Sequence, residues 1–259
     1  DQSVALGYRV EALGNESTAI GSRSEAYGDG GVAIGQRAVS EGENSIVIGT
    51  RAEADPKADG TVDNAIVIGT EAEATADNGI AIGERALASE DRAVAQGFNA
   101  EASAEDAQAH GSRSRATGVS SQASGTDARA SGVNAQASGT DARASGTSSI
   151  ATGTDARGYA SDGIAMGTGA RSGLANPLPE EAFRNTNGIA IGNSSLADNR
   201  NALALGVEAQ AREESSTALG DSAEATAVDA LAVGSSARST AGSASALGEG
   251  AEATHERSV

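Results

Sequence analysis

The sequence has 259 residues, among them 34 glycines, one methionine, no tryptophan, no cysteine and only 2% aromatic residues. Such small side chains cannot fill the interior of an ordinary globular domain at normal packing density, so we expect either disorder or a narrow, repetitive core. The formal net charge of −18 argues against binding to nucleic acid and against electrostatic docking on anionic lipid, and the lack of cysteine excludes disulfides and thiol chemistry.

Glycine recurs at a spacing of seven or fourteen residues along the chain. The first glycines of the series are Gly7, Gly14, Gly21, Gly28, Gly35, Gly42 and Gly49. Only two intervals break the spacing, one of 20 residues from Gly49 to Gly69 and one of 25 residues from Gly167 to Gly192. We therefore expect one repetitive domain over residues 1–259, with loop insertions near 55–64 and 173–187. Because the first residues already follow the repeat, we expect the sequence to be a fragment of a longer chain.

Within each repeat the residues alternate as in β-strands. A coiled coil is disfavoured, because glycine costs about 1 kcal/mol per helical site relative to alanine. Two residues before each glycine lies a small residue such as Ala19 or Val47, which predicts one small face in every strand. The opposite face is aliphatic in every second unit and mostly charged or polar in the units between, as at Glu53 and Arg129. Each repeat of fourteen residues therefore contains two unlike strands, and glycine with the polar residues after it forms the turns, through a positive φ or a close backbone approach.

This pattern predicts an all-β parallel β-roll, or solenoid, of about 17 turns with a thin interior of Ala and Ser. The aliphatic faces would leave a surface stripe larger than a soluble monomer usually shows. Parallel association of several chains around an axis would bury all the stripes at once, so we expect an oligomer. The predicted interface residues are Ile34, Ile46, Ile48, Ile66, Ile68, Ile80, Ile82, Ile164, Met166, Ile189, Ile191, Leu203 and Leu205.

Near the middle of the chain, polar residues take the positions of this stripe, namely Gln108, His110, Gln122 and Gln136. By their phase they face the oligomer axis, where His110 from several chains would converge and could hold an anion, a metal ion or a water cluster. The alternative is a hydrogen-bonded polar layer. The glycine phase continues through the Ala/Ser-rich stretch 124–146, so we expect that stretch to be an ordered part of the roll and not a flexible linker.

Several repeats resemble the head repeats of YadA-type trimeric autotransporter adhesins, among them TAIGSRSEAYG (18–28), NSIVIGTRAEA (44–54) and NGIAIGERALA (78–88). The resemblance covers nearly the whole sequence outside the two insertions. It implies a left-handed parallel β-roll assembled as a parallel homotrimer and displayed outside the outer membrane of a Gram-negative bacterium. The neck, stalk and membrane anchor of that family are not in this sequence, so we expect membrane attachment only through such an anchor domain.

The resemblance implies a non-enzymatic adhesin head that attaches to an extracellular matrix protein or to a ligand on a host or bacterial cell. The alternative function is a rigid spacer or display rod, in an adhesin or a phage fibre, that carries another binding domain. Two histidines without a Ser/His/Asp pattern give no support to an enzyme, and we expect no cofactor.

The family's collagen-associated signature, Asn-Ser-Val-Ala-Ile-Gly, is most closely matched by Asn44, Ser45, Ile46, Val47, Ile48 and Gly49. The repeat pattern favours a structural interpretation of this match. It places Ile46 and Ile48 in the interface between chains and Val47 inside the roll, where a ligand could not reach them.

The two insertions are the remaining candidate sites. In the first, Asp55, Asp59 and Asp63 could supply oxygen ligands to Ca²⁺, although a solvated turn is the alternative. The second holds candidate ligand-binding residues, which are Leu178, Glu180, Glu181, Phe183 and Arg184. Long loops on a rigid scaffold often carry binding residues, but Leu178 and Phe183 could instead pin the loop to the rod or to a neighbouring chain.

Overall fold

A computed structural model describes residues 2–55, 62–174 and 185–259, and these residues form strands, turns and connecting segments without any helix. No helix that could span a membrane therefore occurs in this part of the chain. The chain divides into two compact units, Asp1–Asp127 (unit 1) and Ala128–Val259 (unit 2).

In both units, strands of three residues alternate with strands of two. Unit 1 contains β1 (Val4–Leu6), β2 (Glu11–Ala12), β3 (Thr18–Ile20), β4 (Glu25–Ala26), β5 (Val32–Ile34), β6 (Val39–Ser40), β7 (Ile46–Ile48), β8 (Glu53–Ala54), β9 (Ile66–Ile68), β10 (Glu73–Ala74), β11 (Ile80–Ile82), β12 (Leu87–Ala88), β13 (Val94–Gln96), β14 (Glu101–Ala102), β15 (Gln108–His110), β16 (Arg115–Ala116) and β17 (Gln122–Ser124). Unit 2 contains β18 (Arg129–Ala130), β19 (Gln136–Ser138), β20 (Arg143–Ala144), β21 (Ile150–Thr152), β22 (Arg157–Gly158), β23 (Ile164–Met166), β24 (Arg171–Ser172), β25 (Ile189–Ile191), β26 (Leu196–Ala197), β27 (Leu203–Leu205), β28 (Gln210–Ala211), β29 (Thr217–Leu219), β30 (Glu224–Ala225), β31 (Leu231–Val233), β32 (Arg238–Ser239), β33 (Ser245–Leu247) and β34 (Glu252–Ala253).

The three-residue strands of each unit pair in parallel to form a long-strand sheet, and the two-residue strands form a parallel short-strand sheet. Register advances by fourteen residues per turn, as where Val4 lies opposite Thr18. Across the first insertion Ile46 pairs with Ile66, so the extra residues leave the register unchanged. The predicted all-β parallel solenoid of about 17 turns is confirmed, and stretch 124–146 supplies β18, β19 and β20, as expected for ordered repeats.

The interior of each unit is a thin layer of small side chains. Residues at the middle of the long strands, such as Ala19 and Ala33, and at the second position of the short strands, such as Ala26, are fully buried. Buried serines share this layer, and several of their hydroxyls donate to turn carbonyls, as from Ser17 Oγ to the oxygen of Gly14 at 2.7 Å. The side chains of Ala and Ser project little from a sheet. A fold with few large hydrophobic residues can therefore still exclude water from its core.

The turns show both of the roles predicted for glycine. Glycines after long strands, such as Gly35 at φ +144°, take a backbone conformation that other residues rarely adopt. A Cβ on Gly28, in the other type of turn, would lie 2.0 Å from the carbonyl oxygen of Gly42 in the next coil. Two residues after the glycine, the chain passes through the left-handed region at residues that are seldom glycine, such as Arg37 (φ 60°) and Asn44 (φ 54°).

Candidate interaction surfaces

In unit 1 the outer face of the long-strand sheet carries aliphatic side chains at the first and third residue of most strands. In β7, Val47 is fully buried, whereas Ile46 and Ile48 are 38% and 37% exposed. Parallel register sets Ile48 beside Ile68 on the next strand, so the exposed side chains form continuous rows within the unit. The predicted interface residues on this face, all partly or largely exposed, are Ile34, Ile46, Ile48, Ile66, Ile68, Ile80 and Ile82.

Unit 2 repeats this arrangement on its own long-strand sheet. Ala165 is buried, while the neighbouring Met166 on the outer face is 42% exposed. Ile164 pairs with Ile189 across the second insertion, and the rows continue on both sides of it. The predicted interface residues of this unit, again partly or largely exposed, are Ile164, Met166, Ile189, Ile191, Leu203 and Leu205. We call the predicted interface residues of both units the aliphatic stripe.

Polar side chains interrupt the aliphatic rows at the predicted positions. In unit 1, Gln108 and His110 are half-buried and Gln122 is exposed, and in unit 2 Gln136 is exposed on the outer face of β19. His110 Nδ1 lies 3.1 Å from Oε1 of Gln96, a residue that the sequence analysis did not single out although it takes the third outer position of β13. This hydrogen bond favours a polar layer, and within the described ranges no group of three or more His, Asp or Glu is placed to hold a metal ion.

The collagen-like segment lies mostly in structural positions. Asn44 forms the left-handed turn residue, and Ser45 is fully buried. Ser45 Oγ donates to the carbonyl oxygen of Val62 at 2.6 Å and accepts from the backbone N–H of Ala65 at 3.1 Å, so it holds the C-terminal end of the first insertion against the preceding coil. Gly49 has a φ of +152°. Of the six residues, Ile46 and Ile48 alone present large side chains at the surface, on the aliphatic stripe.

Of the three acidic residues of the predicted calcium site, Asp55 and Asp63 are among the described residues and Asp59 lies outside them. Asp63 Oδ1 accepts the backbone N–H of Glu43 at 2.9 Å, and its own N–H donates to Asp77 Oδ1 at 2.9 Å. Asp55 lies near Glu41, whose pKa is raised first by burial and then by the Asp55 carboxylate. Asp63 therefore caps a turn, which favours the structural interpretation, and the calcium site of Asp55, Asp59 and Asp63 stays a prediction.

The second insertion is closed at its base by a residue that the sequence analysis did not identify. Asn185 is buried, its Oδ1 accepts the N–H of Leu174 at 2.8 Å, and its Nδ2 donates to the carbonyl oxygen of Tyr159 at 3.1 Å. The sequence held one signal for this residue, since Asn185 is a polar residue near the end of the interval in which the glycine spacing is interrupted. The candidate ligand residues of this insertion lie outside the described residues, and their role stays a prediction: Leu178, Glu180, Glu181, Phe183 and Arg184.

Charged residues predominate on the outer face of the short-strand sheet of each unit and in the neighbouring turns. Arg85 donates to Glu71 at 2.9 Å, and this bond, with a second from Arg51, lowers the pKa of the Glu71 carboxyl. In β8, burial and then the carboxylates of neighbouring acids raise the pKa of Glu53. Tyr27 donates to Glu25 at 3.0 Å, and burial followed by this bond raises its pKa to about 12. The pairs lie largely in solvent, where each contributes little to stability.

The fold and its surfaces define a repeat-built parallel β-solenoid in which each unit has a largely apolar outer face and a largely charged outer face. A family model described as the YadA head domain repeat (2 copies) matches residues 1–24, 12–38, 26–52, 63–86, 88–114, 130–156, 185–209 and 211–237. These matches cover more than half of the sequence, and the chain belongs to the YadA head family. No curated protein matches the chain. Family membership points to an adhesin-type function at a bacterial cell surface, and the β-solenoid is typical of non-enzymatic adhesins.

Proposed function

We propose that this chain is the head of a homotrimeric adhesin and that the aliphatic stripe is the interface between three parallel copies. The exposure of the stripe is the observation that carries the proposal. Ile48, Ile68 and Ile82 are each between 36% and 37% exposed in rows on the same face of unit 1. Soluble monomers rarely leave an apolar surface of this extent in water, and each 100 Å² of it removed from water contributes about 2.5 kcal/mol.

Parallel cyclic association is the arrangement that this sequence supports best. Identical chains in parallel bring identical repeats to the same height, so aliphatic rows meet aliphatic rows and polar positions meet polar positions. Gln96 and His110 would then face their counterparts in the other copies. A glutamine amide both donates and accepts, so this layer can form hydrogen bonds between copies without a bound ion.

The charged outer face of the short-strand sheet would remain in water and be available to ligands. We infer that the head is displayed outside the outer membrane of a Gram-negative cell. Its charged face would attach to an extracellular matrix protein or to a ligand on a host or bacterial cell. Membership of the YadA head family supports this location and role. The residues of the second insertion are additional candidates for ligand contact.

The adhesin function and the rigid-spacer function can be distinguished by binding measurements on purified protein that has first been shown to be trimeric. The trimer is applied to immobilised collagen, fibronectin and laminin and to cultured cells, and we expect saturable binding to at least one of them. A variant with residues 175–184 replaced by a short Gly-Ser linker tests the second insertion, because Asn185 already holds the base of that loop next to Leu174. The matched control replaces residues 56–61 in the same way.

Loss of binding in the first variant alone would place the ligand at the second insertion. Equal binding by both variants would remove that insertion from the proposal and leave the repeat surface. A verified trimer that binds neither matrix protein nor cells would contradict the adhesin function and favour the rigid spacer.

A further inference from the structure

Four arginines follow one another on the outer face of the short-strand sheet in unit 2. Arg129, Arg143, Arg157 and Arg171 take the first position of β18, β20, β22 and β24. Each lies directly opposite the next in parallel register. Neighbouring strands are about 4.8 Å apart, so the four residues span about 14 Å along the sheet. We call them the arginine ladder.

Like charges directly opposite each other on a sheet destabilise it, and arginines at the same position of other short strands are paired with an acidic residue. Arg238 donates to Glu224 at 2.9 Å, and Arg115 lies 3.4 Å from Glu101. In the ladder, Arg171 pairs with Asp198 at 2.6 Å.

The other three ladder arginines form no ion pair with any described residue, although Asp141 and Asp155 lie only two residues before Arg143 and Arg157. The buried Nε of Arg157 also lacks a hydrogen-bond partner among the described residues. Three arginines of the ladder therefore present positive charge that no described residue neutralises, on a chain whose net charge is −18.

Hydroxyl groups and one aromatic ring lie beside the ladder. Ser131, Ser145 and Tyr159 each follow a ladder arginine by two residues and so point to the same side of the sheet. Both serines are exposed and Tyr159 is half-buried. Aromatic residues make up only 2% of the sequence, and this one lies in the most cationic part of the sheet. A ring with an apolar face beside hydroxyl donors and guanidinium groups suits a sugar that also carries negative charge.

We propose that the arginine ladder binds a linear sulfated polysaccharide that lies along the sheet, across the strands. This inference rests on the adhesin function, because it names the chemical class of the ligand. A guanidinium offers two parallel N–H groups to two oxygens of one sulfate, and successive sulfates along the chain would meet successive arginines. The serine hydroxyls would hydrogen-bond sugar hydroxyls, and the Tyr159 ring would pack on the apolar face of one sugar. The ligand would also supply the negative charge that no described residue offers to Arg129, Arg143 and Arg157.

The test uses the whole chain as a verified trimer and a heparin octasaccharide as the probe, with binding followed by calorimetry. The test variant is Arg143→Gln with Arg157→Gln. The matched control is Arg85→Gln with Arg92→Gln, which removes the same charge from two arginines held in ion pairs by Glu71 and Asp106. We expect the test variant to bind about tenfold more weakly or worse, with a smaller dependence on salt, and the control to bind as the wild type does.

Stability provides an independent check that the test variant folds. Removing two like charges from adjacent strands should leave its thermal midpoint unchanged or raise it, so that lost binding cannot be attributed to lost structure. The desulfated octasaccharide should not bind to any of the proteins. Equal weakening in test and control variants would overturn the ladder as the site and indicate a general charge effect.

Further comparisons separate the ligand class from the adhesin function. Equally tight, ladder-dependent binding of single-stranded DNA or of anionic lipid vesicles would contradict the assignment to a sulfated polysaccharide. A trimer that adheres to cells but ignores the octasaccharide would overturn this inference and leave the adhesin function standing. A trimer that does neither would contradict both.

Discussion

Replacing Gly146 with alanine tests the close backbone contact between successive coils. A Cβ at this position would lie 2.1 Å from the carbonyl oxygen of Ala160 and 2.8 Å from the backbone nitrogen of Ser161. The φ of Gly146 is not in the left-handed region, so the substitution introduces crowding and no forbidden backbone angle. Ordinary Cβ contacts begin more than 1 Å farther out, and the peptide of the next coil must therefore move by about that distance.

The displaced peptide takes part in two hydrogen bonds. The carbonyl oxygen of Ala160 accepts the N–H of Gly163 at 3.1 Å, and the N–H of Ser161 donates to the carbonyl oxygen of Asn185 at 3.0 Å. Overpacking destabilises by about 1–3 kcal/mol, and each weakened hydrogen bond adds about 1 kcal/mol. Alanine recovers about 0.4–1 kcal/mol by restricting the unfolded chain. We expect Gly146→Ala to lower the free energy of unfolding by about 3 kcal/mol.

Gly242 provides the matched control in the same unit. A Cβ there would meet only the carbonyl oxygen of Val228, at 3.8 Å, and its φ is also outside the left-handed region. Gly242→Ala should therefore be neutral or stabilise the protein by up to about 1 kcal/mol. Urea unfolding followed by far-ultraviolet circular dichroism, at one protein concentration for all variants, compares the midpoints. Equal midpoints for Gly146→Ala and Gly242→Ala would refute the close-contact explanation of the glycine spacing.

Three further predictions concern individual polar groups. Asn185→Leu should lower the free energy of unfolding by about 2 kcal/mol, because it leaves three backbone groups at the base of the second insertion, the N–H and carbonyl of Leu174 and the carbonyl of Tyr159, without their side-chain partner, and urea unfolding measures this. The difference between wild-type and Tyr27→Phe absorbance titrations should show a phenol with a pKa of about 12, and the stability linked to this raised pKa should be present below pH 10 and lost as the pH rises through 12. If the polar layer lies in a trimer interface, the double variant Gln96→Leu and His110→Leu should raise the thermal midpoint by several degrees in calorimetry, whereas a lower midpoint would indicate that the hydrogen bonds of this layer outweigh the gain in apolar contact.

The strand phase and the two faces of each sheet were predictable from the sequence. The interior accepts only small side chains, so the small residues of every repeat indicate which positions point inward. On this basis Val47 could be assigned to the core, and Ile46 and Ile48 to the surface. The register across both insertions also followed, because the fourteen-residue glycine spacing resumes after each of them, at Gly69 and at Gly192. A fourteen-residue repeat thus contains most of the information about its own fold.

Contacts between residues distant in sequence were not predictable in the same way. Asn185 binds Leu174 and Tyr159 only because the second insertion leaves and re-enters the solenoid at one place. The left-handed conformation of Arg37 could not be predicted from its residue type, because arginine has no general preference for it. The turn between two strands imposes this conformation. The arginine ladder follows from the sequence as a fourteen-residue spacing. That three of its members have no carboxylate partner among the described residues could be seen only from the side-chain positions.

The mass of the protein in solution tests the assignment of the aliphatic stripe most directly. Sedimentation equilibrium at several protein concentrations should give a mass three times that of the 25.3 kDa chain. Ile68→Asp with Ile82→Asp should shift the mass toward the monomer, because both side chains lie on the outer face and their loss leaves the alanine interior intact. A wild-type protein that is folded by circular dichroism and sediments as a monomer at every concentration would contradict the trimer interface proposed for this face.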